Sequence, residues 1–251
     1  MWTDPTKPAI GDGHATTDLG GDDRTPTGRR YRGKRALDLA IAVPALVSTA
    51  PLVAAAALAV RITLGSPVLY RQTRLGLHRQ PFDIVKLRTM SDERGTDGAL
   101  LPDAERLGRL GRLLRATSID ELPQLWNVIR GEMSIVGPRP LPAIYLDRYT
   151  DHQARRMDVV PGITGLAQTT GRNQTDWDTR LDLDVTYTEQ ASLGLDLRII
   201  ARTLPAVLAA RGVAANGYAT MPEFTGSRTD EAPGADGPGA GGATGAAQRP
   251  D

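Results

Sequence analysis

Cysteine is absent from the 251 residues, which excludes disulfides, thiolate metal sites and a cysteine nucleophile. Histidine is scarce: His14, His78 and His152 are scattered and make no metal-ligand spacing. Any bound metal is therefore expected to be a hard, oxygen-liganded ion such as Mg2+. Net charge is nearly absent too, at +1, and gives no reason to expect nucleic acid or another polyanion as partner. The charge is unevenly spread, however. Between Lys34 and Ser91, eight cations (Lys34, Arg35, Arg61, Arg71, Arg74, Arg79, Lys86, Arg88) face only Asp38 and Asp83. Such a cluster suits a phosphorylated ligand or an anionic membrane surface.

Both ends of the chain lack apolar periodicity. Residues 1–32 are rich in Gly, Asp, Thr and Pro, and residues 226–251 in Gly, Ala and Pro. Neither segment buries enough apolar surface to offset its ordering entropy, so both are expected to be disordered tails. The first is not expected to be a signal peptide, because the apolar run begins too late.

That run, 36–60, is the one long hydrophobic stretch. At about 25 residues it is long enough to cross a bilayer, for which ~20 suffice. Pro44 and Pro51 lie inside it, and each removes a helical hydrogen bond. Basic residues flank both of its ends, whereas a spanning helix usually carries its excess on one side. This pattern predicts a re-entrant membrane helix over 33–63, broken near Pro51, that enters and leaves by one face. A single kinked span is the alternative.

Beyond it, 64–225 reads as one compact domain. Segments 67–73 and 81–89 read as short strands around a turn, with Phe82, Ile84, Lys86 and Arg88 sharing one strand face. Helical patterns follow at about 103–115 and 121–130, then at 143–157 after the rigid Gly137-Pro-Arg-Pro140 break. A last helix over 196–211 places Leu197, Ile200, Leu204 and Leu208 on one face, suited either to the bilayer surface or to the core. The fold class is thus mixed α/β (α+β) and mostly helical, with a small β-hairpin and surface amphipathic helices.

The segment 115–130 carries the most chemical information. Pro123 cannot sit deep in a helix, so a helix is expected to begin near Ser118 to Asp120, with Asp120 and Glu121 at its positive end. There the backbone N–H groups are also available to a phosphate. The same residues, Ser118-x-x-Glu121, fit a capping box, and spacing alone favours the cap. The cations Lys86, Arg88, Arg115 and Arg139 point the other way. Arg139 is held between two prolines, which suits bidentate phosphate recognition. Asp182, Asp184 and Asp196 are further carboxylates, with Asp196 placed to cap the last helix.

In order along the chain come Gln72-x-Arg74-x-Gly76, Pro81-Phe82, Lys86-Leu-Arg-Thr-Met90-Ser-Asp-Glu93, Ser118-Ile-Asp-Glu-Leu-Pro-Gln-Leu-Trp-Asn-Val128, Gly131-x-Met133-Ser-Ile-Val-Gly-Pro-Arg-Pro140, Pro161-Gly-Ile-Thr-Gly165 and Gly171-Arg-Asn173. This order, after a proline-containing apolar segment, resembles the monotopic phosphoglycosyl transferases in their small, minimal form, over about residues 33–225. The resemblance implies transfer of a sugar-1-phosphate from a UDP-sugar to a polyprenyl phosphate with release of UMP, the initiating step of glycan assembly. It implies a covalent intermediate on Asp120, Glu121 as the Mg2+ partner, and Lys86, Arg88, Arg115, Arg139, Arg172 and Asp196 around the substrate phosphates. It further implies a bacterial cell membrane location with the catalytic domain on the cytoplasmic face, and allows a homodimer. A non-catalytic, membrane-anchored component of a glycan-assembly complex is the rival reading. Three positions depart from the family pattern: Ala50-Pro51 replaces a Ser-Pro pair, Leu166 replaces a Trp, and Val160 stands where a basic residue is common.

Overall fold

The computed structural model describes residues 31–170, 176–208 and 223–226. The expected tails fall almost wholly outside these residues, as does Arg172. Helix α1 (Lys34–Thr63) opens the described chain. It is followed by strands β1 (Leu69–Leu75) and β2 (Pro81–Leu87), which pair antiparallel with Tyr70 opposite Lys86. The hairpin is where the alternation placed it.

Helix α1 corrects one expectation. It stays helical through both Pro44 and Pro51, so no break in secondary structure occurs at Pro51. Each proline removes a single N–H and leaves the remaining ladder intact. The Thr49 and Ser48 hydroxyls, at 2.7 and 3.1 Å, both donate to the Ala45 carbonyl within the turn before Pro51. The helix contains an 18-residue window of mean hydropathy 2.0. Its length and apolarity would suffice to cross a membrane, and Val47, Leu58 and Ile62 are exposed on it. One side of each end is buried instead. Lys34, Asp38 and Ala42 are buried near the start, and Ala56 and Val60 near the finish.

Two apolar clusters receive those ends. The larger gathers Ala42 with Ile84, Leu125, Val128, Met133, Val136, Tyr187 and Ile199. The second gathers Ala56 and Val60 with Leu87 and Leu114. Both draw on β2, through Ile84 and Leu87.

The helix expected over 103–115 is two pieces, α2 (Asp103–Arg106) and α3 (Arg109–Ala116), with Leu107 in a non-helical conformation between them. On α3, a Cβ at Gly111 would meet the Thr89 carbonyl oxygen at 2.0 Å. Glycine alone permits this approach, which brings α3 against the end of β2. Helix α4 (Gln124–Arg130) follows a short 3-10 turn. It buries Leu125 and Val128, and Asn127 ties it to β2 by accepting from Val85 N at 3.2 Å and donating to Asp83 O at 2.8 Å. Arg35 of α1 caps its other end, donating to the Val128 and Ile129 carbonyls at 2.5 Å each.

Strands β3 (Ser134–Val136) and β4 (Gly162–Thr164) form a short parallel pair that the sequence reading missed. Their backbones nearly touch: a Cβ at Gly162 would meet Gly137 N at 2.1 Å. The helix expected over 143–157 is instead a 3-10 stretch, Ala143–Arg148, then α5 (Asp151–Ala154) and a further 3-10 turn. Tyr149 is extended, and Thr150 with Gln153 forms a capping box that restarts the helix. Helices α6 (Leu166–Thr170), α7 (Trp177–Gln190) and α8 (Leu193–Leu208) follow.

Helix α8 begins earlier than expected, and Asp196 does not cap it; Ser192 Oγ accepts from Leu195 N at 3.3 Å. Leu197 and Leu204 of the anticipated stripe are exposed, while Ile199 and Asp196 face the core. The side chain of Leu208 lies outside the described residues.

Candidate active site

Asp120 and Glu121 lie in the 3-10 turn Ile119–Glu121, between α3 and α4. Pro123, rather than Ser118, is the N-cap residue of α4. Ser118 takes a left-handed conformation (φ 56°) and its side chain makes no capping hydrogen bond. The capping-box alternative is therefore not realised, and Glu121 has other partners.

Glu121 is gripped from two sides. Its Oε1 accepts from Lys86 Nζ at 2.7 Å and from Arg139 Nη2, and its Oε2 from Arg139 Nη1 at 3.4 Å. Burial alone would raise its pKa, but the charges of Arg139 and Lys86 outweigh it and hold the carboxyl far below the usual range. Lys86 moves down because burial disfavours the ammonium, an effect Glu121 opposes.

Asp120 behaves differently although it is the adjacent residue. It is buried, yet among the described residues no cation lies within ion-pair distance of its carboxylate and no hydrogen bond reaches it. Burial first, and the neighbouring Glu121 charge second, push its pKa up to about 6, against the pull of Lys86, Arg115 and Arg139. Adjacent carboxylates in environments that separate their pKa values are a recurring feature of sites where the two have different duties. Arg115 stands on this side too, donating from Nε to Thr89 Oγ1 at 3.0 Å.

The structure thus brings Lys86, Arg115, Asp120, Glu121 and Arg139 together. Two predicted members lie elsewhere. Arg88 follows the end of β2, where strand alternation no longer fixes its direction. It is buried, with Nη1 donating to Asp92 at 2.8 Å and Nη2 to the Leu64 carbonyl at the exit of α1. Asp196 is fully buried at the root of α1. It accepts from Lys34, from Tyr31 at 2.7 Å and from Tyr187 at 2.8 Å. In this arrangement Arg88 and Asp196 anchor the two ends of α1 and lie outside the cluster of Lys86, Glu121 and Arg139. Asp182 pairs with His152 on the surface at 3.4 Å.

The sequence reading assigned no role to Arg74 or Arg156. Arg74 lies beside Arg139, and its pKa falls to about 10 through burial and that neighbouring charge. Arg156 forms a buried pair with Asp184 at 2.7 Å. The Gln72-x-Arg74 motif was a usable signal for the first. Nothing in the doublet Arg155-Arg156 distinguishes its buried member from its exposed one.

Among the described residues, no group of three or more His, Asp or Glu gathers as a ready metal cage. The adjacent pair of carboxylates does fit Mg2+, which commonly takes one or two carboxylates and completes its shell with water and substrate phosphates. Glu121 Oε2, whose contact to Arg139 is long, is the available oxygen.

The bacterial sugar transferase family matches residues 29–210. The chain is 48% identical over 194 residues to the uncharacterized sugar transferase EpsL of Bacillus subtilis, covering 77% of this chain and 96% of that protein. It is 45% identical over 185 residues to the UDP-glucose:undecaprenyl-phosphate glucose-1-phosphate transferase of Caulobacter vibrioides, covering 70% and 69%. To the exopolysaccharide production protein ExoY of Rhizobium meliloti it is 38% identical over 197 residues, covering 71% and 87%. With a family match across the whole described cluster and relatives this similar, the chain belongs to the bacterial sugar transferases.

Proposed function

We propose that this chain transfers a sugar-1-phosphate from a UDP-sugar to a polyprenyl phosphate through a phosphosugar on Asp120, as the initiating step of exopolysaccharide or related glycan assembly. One observation carries the reading: Asp120 is a buried carboxylate that forms no ion pair among the described residues, next to a Glu121 that occupies Lys86 and Arg139. A nucleophile needs lone pairs that no cation has claimed.

In the first step an Asp120 oxygen attacks the sugar-bearing phosphorus. The new O–P bond replaces the bond to the bridging oxygen, which departs on UMP. In the second, a phosphate oxygen of the lipid attacks the same phosphorus, breaking the Asp120 O–P bond and restoring the carboxylate. Arg139, Lys86 and Arg115 offset the repulsion between a carboxylate and a diphosphate and stabilise the charge that gathers on the leaving phosphate. Mg2+ held by Glu121 would add Lewis-acid charge at the same place. With purified protein, polyprenyl phosphate and a panel of UDP-sugars, the nucleotide released is expected to be UMP; release of UDP would mean sugar transfer without its phosphate and would sink the reading.

The lipid acceptor requires membrane contact, and α1 is suited to re-entrance. A straight helix would separate Ala42 from Val60 by about 27 Å, at 1.5 Å per residue. Both pack in clusters fed by β2, through Ile84 and Leu87, which lie about 10 Å apart along a strand. Bending of the still-helical segment at its prolines would satisfy both anchors, and the basic residues at both of its flanks favour a catalytic body on the cytoplasmic face. Single cysteines introduced as Arg32→Cys and Thr63→Cys should both be labelled from the cytoplasmic side, and labelling from opposite sides would rule re-entrance out.

A further inference from the structure

Pro138 and Pro140 have no backbone N–H, so of the four possible backbone donors and acceptors on Pro138, Arg139 and Pro140, three are carbonyls. All three are engaged. Pro138 O accepts from Gly162 N at 2.9 Å, Arg139 O from Arg156 Nη2 at 2.6 Å, and Pro140 O from Arg74 Nη1 at 3.3 Å. Neither arginine is held by this contact alone. Arg156 Nε and Nη2 also donate to Asp184 Oδ2 at 3.1 and 2.7 Å, both residues are buried, and Tyr149 lies 5.9 Å beneath the guanidinium. Arg74 Nη2 donates to Gln72 Oε1 at 2.5 Å, and its backbone forms a β-bridge with Pro142.

We propose that Arg156, braced by Asp184, and Arg74 are positioning residues that aim the Arg139 guanidinium by fixing two successive carbonyls of its proline-flanked segment. This rests on the reading that Arg139 faces the substrate diphosphate. The two arginines approach the segment from different elements, the 3-10 turn after α5 and strand β1. A buried cation whose charge is already answered by Asp184 retains one geometric duty, and its shared Nη2 performs it. A small displacement of a charge-stabilising group is felt in turnover more than in ground-state binding.

The test is a double-mutant cycle with Arg139. Arg156→Lys keeps the charge opposite Asp184 but cannot span both acceptors. It should lower kcat about 10- to 100-fold, with donor KM changed less than about twofold and the melting temperature retained. In an Arg139→Ala background the same change should alter kcat by less than about twofold, since the positioned group is gone. Arg74→Met carries the same cycle should Arg156→Lys not fold. Arg155→Gln, which removes only the exposed pair with Glu189, serves as the unaffected control. A second arm needs no turnover: the Arg139 Nε–H resonance should shift or broaden in Arg156→Lys and Arg74→Met but not in Arg155→Gln. Absence of UMP release by the wild type would strike the functional reading, and the resonance would still decide this one. Additive losses in the cycle, or an Arg139 resonance indifferent to both substitutions, would overturn it.

Discussion

Asp120→Asn is expected to reduce UMP release by at least about a thousandfold, since removing the attacking group of a covalent catalyst typically costs several orders of magnitude. The amide keeps the shape and loses the attacking charge. The same substitution should make the protein more stable. Burial and Glu121 raise Asp120 from its ordinary 3.8 to about 6, so the folded state prefers the protonated form. For a carboxylate shifted upward, stability is lost as pH rises from about 4 to about 6 and stays lost above that. The penalty at neutral pH is about 3 kcal/mol, which a neutral amide avoids. A catalytically dead protein with a higher melting temperature at pH 7 is the combined signature, and lost activity with lower stability would point to a structural role. In single-turnover UMP release without lipid, the wild type should also lose activity below about pH 6, as the nucleophile becomes protonated.

The second large effect lies at the root of α1. Lys34→Met should destabilise the protein by about 3–5 kcal/mol, the usual consequence of removing one partner of a buried ion pair. Lys34 donates to the Val136 carbonyl at 2.9 Å, bonds Asp196, and lies 3.6 Å from Asp38. Its loss leaves two buried carboxylates without their cation. Replacing both partners, in Lys34→Met/Asp196→Leu, should recover part of the loss, because no charge at Asp196 then remains uncompensated. Thermal unfolding in a lipid nanodisc measures both; a single variant that melts with the wild type would show that the pair contributes little. The position has functional weight because Val136 O also accepts from Tyr187 at 3.0 Å, and Arg139 follows three residues later. Helix α1 is thereby tied to the segment that carries Arg139.

Much of this was legible in the residues. The strand alternation around 67–89 located the hairpin, and the order of motifs singled out Asp120, Glu121, Lys86, Arg115 and Arg139, which the fold brings close together. Other features were hidden for physical reasons. Ser118-x-x-Glu121 matched a capping box, but Ser118 is left-handed and its side chain makes no capping hydrogen bond. Arg88 shared a strand face with Lys86 in the pattern, yet β2 ends at Leu87 and the alternation ends with it. Helix α7 buries Asp184 and Thr188 beside Leu181 and Val185, so its inward face carries little apolar signal. Strands β3 and β4 have three residues each, too few for a period of two to register. The Arg156 contact to Arg139 O depends on a carbonyl, which no side-chain pattern encodes.

The chemistry itself is open to one direct measurement. Purified protein is incubated with a UDP-sugar in the absence of lipid phosphate, quenched in acid, digested and analysed by mass spectrometry. The proposed mechanism predicts a sugar-phosphate mass on the peptide containing Asp120, absent from the Asp120→Asn protein and discharged when polyprenyl phosphate is added before the quench. A phosphosugar on any other residue, or turnover by Asp120→Asn at the wild-type rate, would contradict it.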